Sequence, residues 1–148
     1  MSAGGIATPR ARAAFIAQLA FESAGFTIFE ERADGRAYEG RRNLGNTQPG
    51  DGPRYKGRGP IQLTGRANYQ AAGAALGLPL EAQPELAARL DVGFRVAVWF
   101  WNSRGLTPFA DRGDFRTVTK RINGGFNGYD FRVNYYKRAC AVLGTTPW

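Results

Sequence analysis

From Pro9 to Ser23 the chain is rich in alanine and apolar residues, with Ala14, Phe15, Leu19 and the stretch from Phe21 to Ala24 recurring near helical spacing. Thr8 precedes it as an N-cap, and Pro9 takes the first helical position, where a missing N–H leaves no bond unmade. Gly25 supplies the stop in the left-handed conformation that commonly closes a helix, with Phe26 free to fold back onto the last turn. The pattern predicts a mostly buried helix carrying Glu22 in its final turn. Between Arg32 and Gly65 the character changes, with seven glycines from Gly40 to Gly65, three prolines, few aliphatics and the turn pairs Pro49-Gly50 and Asp51-Gly52. That stretch reads as loop, with at most a small sheet or hairpin. Helical patterns resume at Arg66 to Leu76 ending at Gly77, Pro84 to Trp101, Asp114 to Ile122 with Asp114 as N-cap, and Phe131 to Leu143 ending at Gly144. No segment alternates in a sustained way and no internal repeat is visible. The expected fold is mainly α, with any sheet confined to residues 32–65.

Length and composition add that 148 residues with 43% hydrophobic content can bury a real core as one domain spanning 1–148. The pieces flanking the glycine-rich stretch are too small to fold separately, so it reads as a long ordered loop, the kind that carries function more often than not. The chain has no histidine and one cysteine, Cys140. This excludes an internal disulfide, a Ser-His-Asp or Cys-His arrangement and the usual zinc ligand sets. Any chemistry must run on carboxylates, hydroxyls and amides, and no metal or organic cofactor is expected.

Charge narrows the partners. The chain carries 20 cations against 12 acids, a net +8, and all the cations but Lys56, Lys120 and Lys137 are arginine. Residues 32–66 and 115–148 each hold a net +5, as two walls of a cationic cleft would. An anionic polymer is the expected partner, a class that includes acidic glycans, a bacterial wall and nucleic acid. The longest apolar run, Val96 to Trp101, is far below the roughly 18 to 20 residues of a membrane span, so no membrane insertion is expected. The start, Met1 to Thr8, has no basic region followed by an apolar one, which implies synthesis in the cytoplasm without a signal peptide.

Of the acids, Glu81, Glu85, Asp91, Asp111, Asp114 and Asp130 lie near helix starts or turns, where solvation or capping accounts for them. Glu22, Glu30, Glu31 and Glu39 do not. Glu22 has Phe21, Ala24, Phe26 and Phe29 around it in sequence and meets the negative end of a helix dipole, and both effects favour an uncharged carboxyl, as a general acid requires. A hydrogen-bonded acid at a helix end fits the same local sequence, and at least one of Glu30 and Glu31 is ordinary surface charge beside Arg32. From Gly57 to Tyr69 the chain places Gln62, Thr64, Asn68 and Tyr69 on a tightly turning backbone, a set of amides and hydroxyls suited to hydrogen-bonding a sugar or positioning a water.

That stretch, Arg58-Gly-Pro-Ile-Gln-Leu-Thr64 followed by Asn68-Tyr69, resembles the RGPIQLT-x-x-x-NY signature of the family 19 glycoside hydrolases, which comprise plant-type chitinases and related phage endolysins. Residues 18–26 (QLAFESAGF) are similar to the family's acid-bearing segment, and residues 47–52 (TQPGDG) to the loop before the signature in bacterial and phage members. Residues 121–125 (RINGG) and 132–140 (RVNYYKRAC) resemble the closing segments, in the same order and over nearly the whole chain. The resemblance implies a lysozyme-like domain in which Glu22 is the general acid and Glu31 the general base of an inverting single displacement. It puts Thr64 on the hydroxyl that helps hold the attacking water, Gln62, Asn68 and Asn123 on sugar-contacting positions, and Arg132 on the basic residue near the acids; Tyr69 and Arg132 are expected to bind substrate with them. Phe21 stands where most members have histidine, which should make the surroundings of Glu22 drier. The segment from Glu31 to Tyr38 is shorter than in many members, so Glu30 and Glu39 remain alternatives to Glu31. Cys140 matches a position that is disulfide-bonded in plant members and, having no partner, reads as a buried apolar residue.

For the substrate, the compact size, the TQPGDG loop, the +8 charge and the missing disulfide framework place bacterial peptidoglycan before chitin. The expectation is a monomeric phage endolysin, stored in the host cytoplasm and acting on the anionic cell wall after release. A noncatalytic basic module binding a wall polymer or nucleic acid is the alternative of another class, and nucleic acid is not the expected partner.

Overall fold

A computed structural model describes residues 4–148. Met1, Ser2 and Ala3, the first residues of the leader-free start expected above, lie outside the described residues. In chain order the α-helices are α1 (Pro9–Glu22), α2 (Asp51–Arg54), α3 (Arg66–Leu76), α4 (Leu90–Ser103), α5 (Thr107–Asp111), α6 (Phe115–Asn123) and α7 (Tyr129–Val142). Short 3-10 turns add Arg36–Tyr38, Arg42–Leu44 and Pro84–Ala88. Among the described residues the only β pairing is two isolated bridges, Glu30 with Arg58 and Arg58 with Leu63, so the fold is mainly α as the sequence implies. No helix among them is long and apolar enough to cross a membrane.

The chain divides into two compact units. One comprises residues 1–25 and 100–148, the other residues 26–99. In the first, α1 packs chiefly against α7 and also against α5 and α6. Ala11, Ala13, Ala14, Phe15, Ala17, Leu19 and Ala20 are all buried, as expected of a helix apolar around most of its circumference. Thr8 caps it by accepting the Ala11 N–H at 3.0 Å. Around it, Phe15 meets Trp101 edge-on at 5.5 Å and Phe115 stacks on Tyr136 at 4.2 Å. Asp114 caps α6 through the Thr117 N–H, as its place in the sequence predicts. Cys140 is free and buried, and burial raises its thiol pKa.

In the second unit Tyr55, Tyr69, Ile61, Leu63, Ala72 and Leu80 form the core. The glycine-rich stretch is ordered by side chains as much as by backbone. Buried Asp51 takes two hydrogen bonds from the Arg66 guanidinium, at 2.6 and 2.9 Å, which holds its carboxyl pKa below the usual value. Buried Asn46 donates to the Tyr38 carbonyl and accepts the Arg66 N–H, tying the loop to the start of α3.

Three expectations are corrected. The run from Pro84 to Trp101 is not one helix: the 3-10 turn ends at Ala88, Arg89 is extended (φ −70°, ψ 144°), and α4 begins at Leu90. The cause is tertiary, because the Gly59-Pro60 backbone lies against the break. A Cβ on Gly59 would come 2.7 Å from the Ala87 oxygen, and one on Gly93 would come 2.8 Å from Pro60 Cδ. The end of α1 closes through Gly25 (φ +70°), but Ala24 and Phe26 also have positive φ, and the Phe26 ring stacks on Phe94 within the second unit. Finally, α5 was not expected, although Thr107-Pro108 is a start signal.

Candidate active site

Glu22 ends α1 with its side chain 19% exposed, and its Oε1 accepts Arg132 Nη2–H at 2.7 Å. The drier surroundings expected from Phe21 therefore hold a charge-assisted hydrogen bond from Arg132, the basic residue that the resemblance puts near the acids. Arg132, on α7, is fully buried and every arm of its guanidinium is engaged. Nη1 donates to Gln18 Oε1 and Nε to the Asn127 carbonyl at 3.0 Å. Gln18 in turn donates to Thr119 on α6 at 2.8 Å. Three helices thus fix one arginine, and the arginine fixes Glu22. Phe21 does not merely exclude water: its ring lies 4.0 Å from the Arg132 guanidinium carbon, in cation–π contact. Gly128 makes room for that ring, since a Cβ there would overlap it. Asn123 is exposed at the end of α6, and its Oδ1 accepts the Asn127 N–H at 3.2 Å. A hydrogen-bonded chain therefore runs from Asn123 through Asn127 and Arg132 to Glu22.

In the second unit Glu31 is held at both oxygens. Tyr38 Oη–H donates to Oε1 at 2.9 Å and the Gly57 N–H to Oε2 at 2.8 Å, while the Glu31 N–H returns to the Gly57 carbonyl. Where a Cβ on Gly57 would sit, Gln62 Oε1, Glu31 Oε2 and Thr64 Oγ1 lie 2.8, 3.0 and 3.4 Å away. Three oxygens from separate parts of the loop converge on the bare side of one glycine. The Thr64 hydroxyl donates to the Gln62 carbonyl and Gln62 Nε2 to the Gly59 carbonyl, so what both residues present outward is acceptor lone pairs. Glu31 with acceptors beside it can hold a water by its two hydrogens. Gln62 reaches this place with φ +55°, a left-handed conformation unusual for a non-glycine residue.

The other acids are accounted for differently. Glu39 accepts the N–H groups of Gly50 and Gly52, each at 2.7 Å, and so anchors the loop. Glu30 is nearly half exposed and pairs with Lys56 and Arg58, both at 3.3 Å. Asn68 donates to the Thr64 carbonyl at 2.8 Å and is half-buried. Tyr69, expected to contact sugar, is closed off: it has no exposure, donates to the Lys56 carbonyl at 2.7 Å and accepts from Arg58. Arg132, also placed with the sugar contacts, is equally inaccessible and touches Glu22 instead. Sequence reasoning missed Tyr38, Gly57, Gln18 and Thr119. Gln18 carried a weak signal as an amide inside an otherwise apolar helix.

A mainly α fold of this kind is lysozyme-like. The chain belongs to glycoside hydrolase family 19: the family's profile, described as chitinase class I, matches residues 2–110. An endochitinase of Arabidopsis thaliana is 44% identical over 150 residues, covering 97% of this chain and 52% of that protein. A glycosyl hydrolase family 19 domain-containing protein of Haemophilus influenzae is 41% identical over 102 residues, covering 69% of this chain and 49% of that one. Chitinase C from Streptomyces griseus superposes with a TM-score of 0.79 at 30% identity, over 94% of this chain and 61% of that one. A class IV chitinase from Zea mays gives 0.78 at 29% identity, over 100% and 74%. This chain spans about half the length of the curated relatives it matches.

Proposed function

We propose that this chain is a glycoside hydrolase that cuts β-1,4 bonds of a glycan built from N-acetylated sugars by single displacement, with Glu22 as acid and Glu31 as base. The observation that carries the reading is the convergence of Glu31, Gln62 and Thr64 oxygens on Gly57, which is how a base and the water it activates are held. Single displacement needs one protonated and one ionised carboxyl, about 6.5 to 9.5 Å apart, with a water between the base and the anomeric carbon. Arg132 engages Oε1 of Glu22, and Oε2, with no protein partner among the described residues, carries the proton to the glycosidic oxygen. Glu31 takes a proton from the water as it attacks. The product is the opposite anomer.

The relatives' printed names make chitin oligomers the first substrate to test. The peptidoglycan strand, the substrate expected from sequence, is the second reading, favoured by the +8 charge. The experiment measures reducing-end release from chitin oligomers and from purified bacterial sacculi, with NMR of the first product anomer. The expected result is α-anomer product with wild type and at least a hundredfold loss with Glu22→Gln or Glu31→Gln. Gln at 22 keeps an acceptor for Arg132 while removing the transferable proton. No release from either substrate, or retention of the β configuration, overturns the proposal.

A further inference from the structure

Glu30 stands opposite Arg58 in an antiparallel bridge, which sets Glu31 opposite Gly57. In an ordinary antiparallel ladder such a neighbouring pair exchanges two backbone bonds, each N–H donating to the other's carbonyl. One of the two is made here: the Glu31 N–H donates to the Gly57 carbonyl at 2.9 Å. The Gly57 N–H goes instead to the Glu31 side chain, 2.8 Å from Oε2. The carboxylate has thus taken the donor that the carbonyl of its own residue would have had.

A part-buried carbonyl that loses its ladder partner is costly unless another donor reaches it. Lys56 supplies that donor. Its Nζ lies 3.3 Å from the Glu31 carbonyl oxygen and 3.3 Å from Glu30 Oε1, so one ammonium holds two adjacent residues. The Lys56 side chain is 20% exposed and is set at both its root and its stem. The Lys56 carbonyl accepts the Tyr69 hydroxyl at 2.7 Å, and Gly35 closes over the stem, where a Cβ would come 2.9 Å from Lys56 Cβ. Buried Arg58 reaches the same Glu30 oxygen at 3.3 Å, so holding Glu30 does not require Lys56. Holding the Glu31 carbonyl does.

We propose that Lys56 is a positioning residue for Glu31: its ammonium satisfies the Glu31 carbonyl and so leaves the Gly57 N–H to hold the carboxylate. Without it the Gly57 N–H returns to the carbonyl, and Oε2 loses the bond that keeps it on the side of Gly57 where Gln62 and Thr64 converge. Lys56 acts through Glu31, so this role rests on Glu31 being the base.

Two readouts test it on the full chain. The first needs no turnover. NMR follows the Gly57 amide proton as pH is raised through the carboxylate range, where a proton donated to a carboxylate moves downfield as the acid ionises. The charged and titratable groups facing Glu31 are Glu30, Tyr38, Lys56, Arg58 and Tyr69. Glu31→Gln therefore serves to subtract Glu30, the other one that titrates in this range. The movement is expected in the parent, lost in Glu31→Gln, less than half as large in Lys56→Met and restored in Lys56→Arg. No movement in the parent, or an equal one in Lys56→Met, overturns the proposal.

The second readout is steady-state kinetics on whichever glycan the wild type cleaves. Lys56→Met is expected to lower kcat at least tenfold with KM within twofold, and Lys56→Arg to return kcat to within threefold of wild type. Glu30→Gln keeps the Nζ bond to the carbonyl and is expected to lose less than threefold. A loss in Glu30→Gln equal to that in Lys56→Met overturns the proposal in favour of the ion pair. Full activity in Lys56→Met beside an inactive Glu31→Gln overturns this role alone, whereas an active Glu31→Gln overturns the base assignment and this role with it. Should Lys56→Met lose its helical circular dichroism, Lys56→Gln, whose amide falls one atom short of the carbonyl, is read in its place with the same expected and overturning results.

Discussion

Arg132 Nη2 donates to Glu22 Oε1 at 2.7 Å from a position with no solvent exposure, so the orientation of the acid is set from inside the core. Removing the arginine strands Glu22 and Gln18 together. Arg132→Ala is expected to cost about 3 kcal/mol of stability, the usual order for breaking one side of a buried pair. Arg132→Lys keeps the charge but cannot span Gln18, Glu22 and the Asn127 carbonyl at once, and should lose most activity. Thermal melts and turnover on soluble oligomers check both.

Tyr38 plays the corresponding part for Glu31. Its hydroxyl bond to the carboxylate is of the kind worth about 1.5–3 kcal/mol, so Tyr38→Phe is expected to lower kcat/KM by roughly ten- to a hundredfold. The melting temperature should move little, since the hydroxyl is only part-buried. Steady-state kinetics beside a melt separates the two effects, and unchanged kcat/KM would remove Tyr38 from the base's support.

Gly57→Ala tests the convergence on which the proposed function rests. Its Cβ would enter within 3.4 Å of three oxygens, and overpacking of this order costs about 1–3 kcal/mol. The expected outcome is a loss of turnover larger than the loss of stability. A fully active variant would show that these oxygens do not hold the water.

Tyr69→Phe distinguishes burial from sugar contact. The hydroxyl joins the Lys56 carbonyl and Arg58, and its loss should destabilise by about 1–2 kcal/mol while KM for oligomers stays unchanged. A raised KM with an unaltered melt would restore Tyr69 to the sugar-contacting set.

Stability should be bounded on both sides by pH. Burial pushes Tyr69 up to about 12 and raises Tyr38 and Tyr136 above their ordinary value of 10. A folded-state value above the unfolded one stabilises fully below about pH 10, and the contribution is lost as pH rises through the folded value. Asp51, lowered chiefly by its hydrogen bond to Arg66, and Asp114, lowered chiefly by the Thr117 backbone N–H, act in the opposite sense. Their contribution is present above the ordinary value of 3.8 and fades as pH falls through the depressed one. Melts across pH are expected to show a plateau with an alkaline edge above pH 10 and an acid edge below about pH 4.

Helix ends were legible because their signals are local: Thr8, Asp114 and Gly77 each act through the backbone within a few residues. The break at Arg89 was not, since Leu86, Ala87 and Ala88 continue an apolar helical pattern and the loop that interrupts it arrives from thirty residues away, at Gly59. The site divides the same way. Glu22 stands out as an acid among aromatic residues and Gln62 and Thr64 as polar residues on a tightly turning backbone, whereas only the family resemblance sets Glu31 apart from Glu30. Tyr38 looks like any loop tyrosine until folding brings its hydroxyl to Glu31, and the burial of Tyr69 and Arg132 depends on packing that no single segment encodes.

The contact of Gly59 and Pro60 with Ala87 and Gly93 joins the segment bearing Gln62 and Thr64 to the turn before α4. Neither can open alone. Amide protons of the two segments will therefore exchange with deuterium as one cooperative unit, and a methyl group introduced at Gly93 will slow turnover from a position that never meets the glycan.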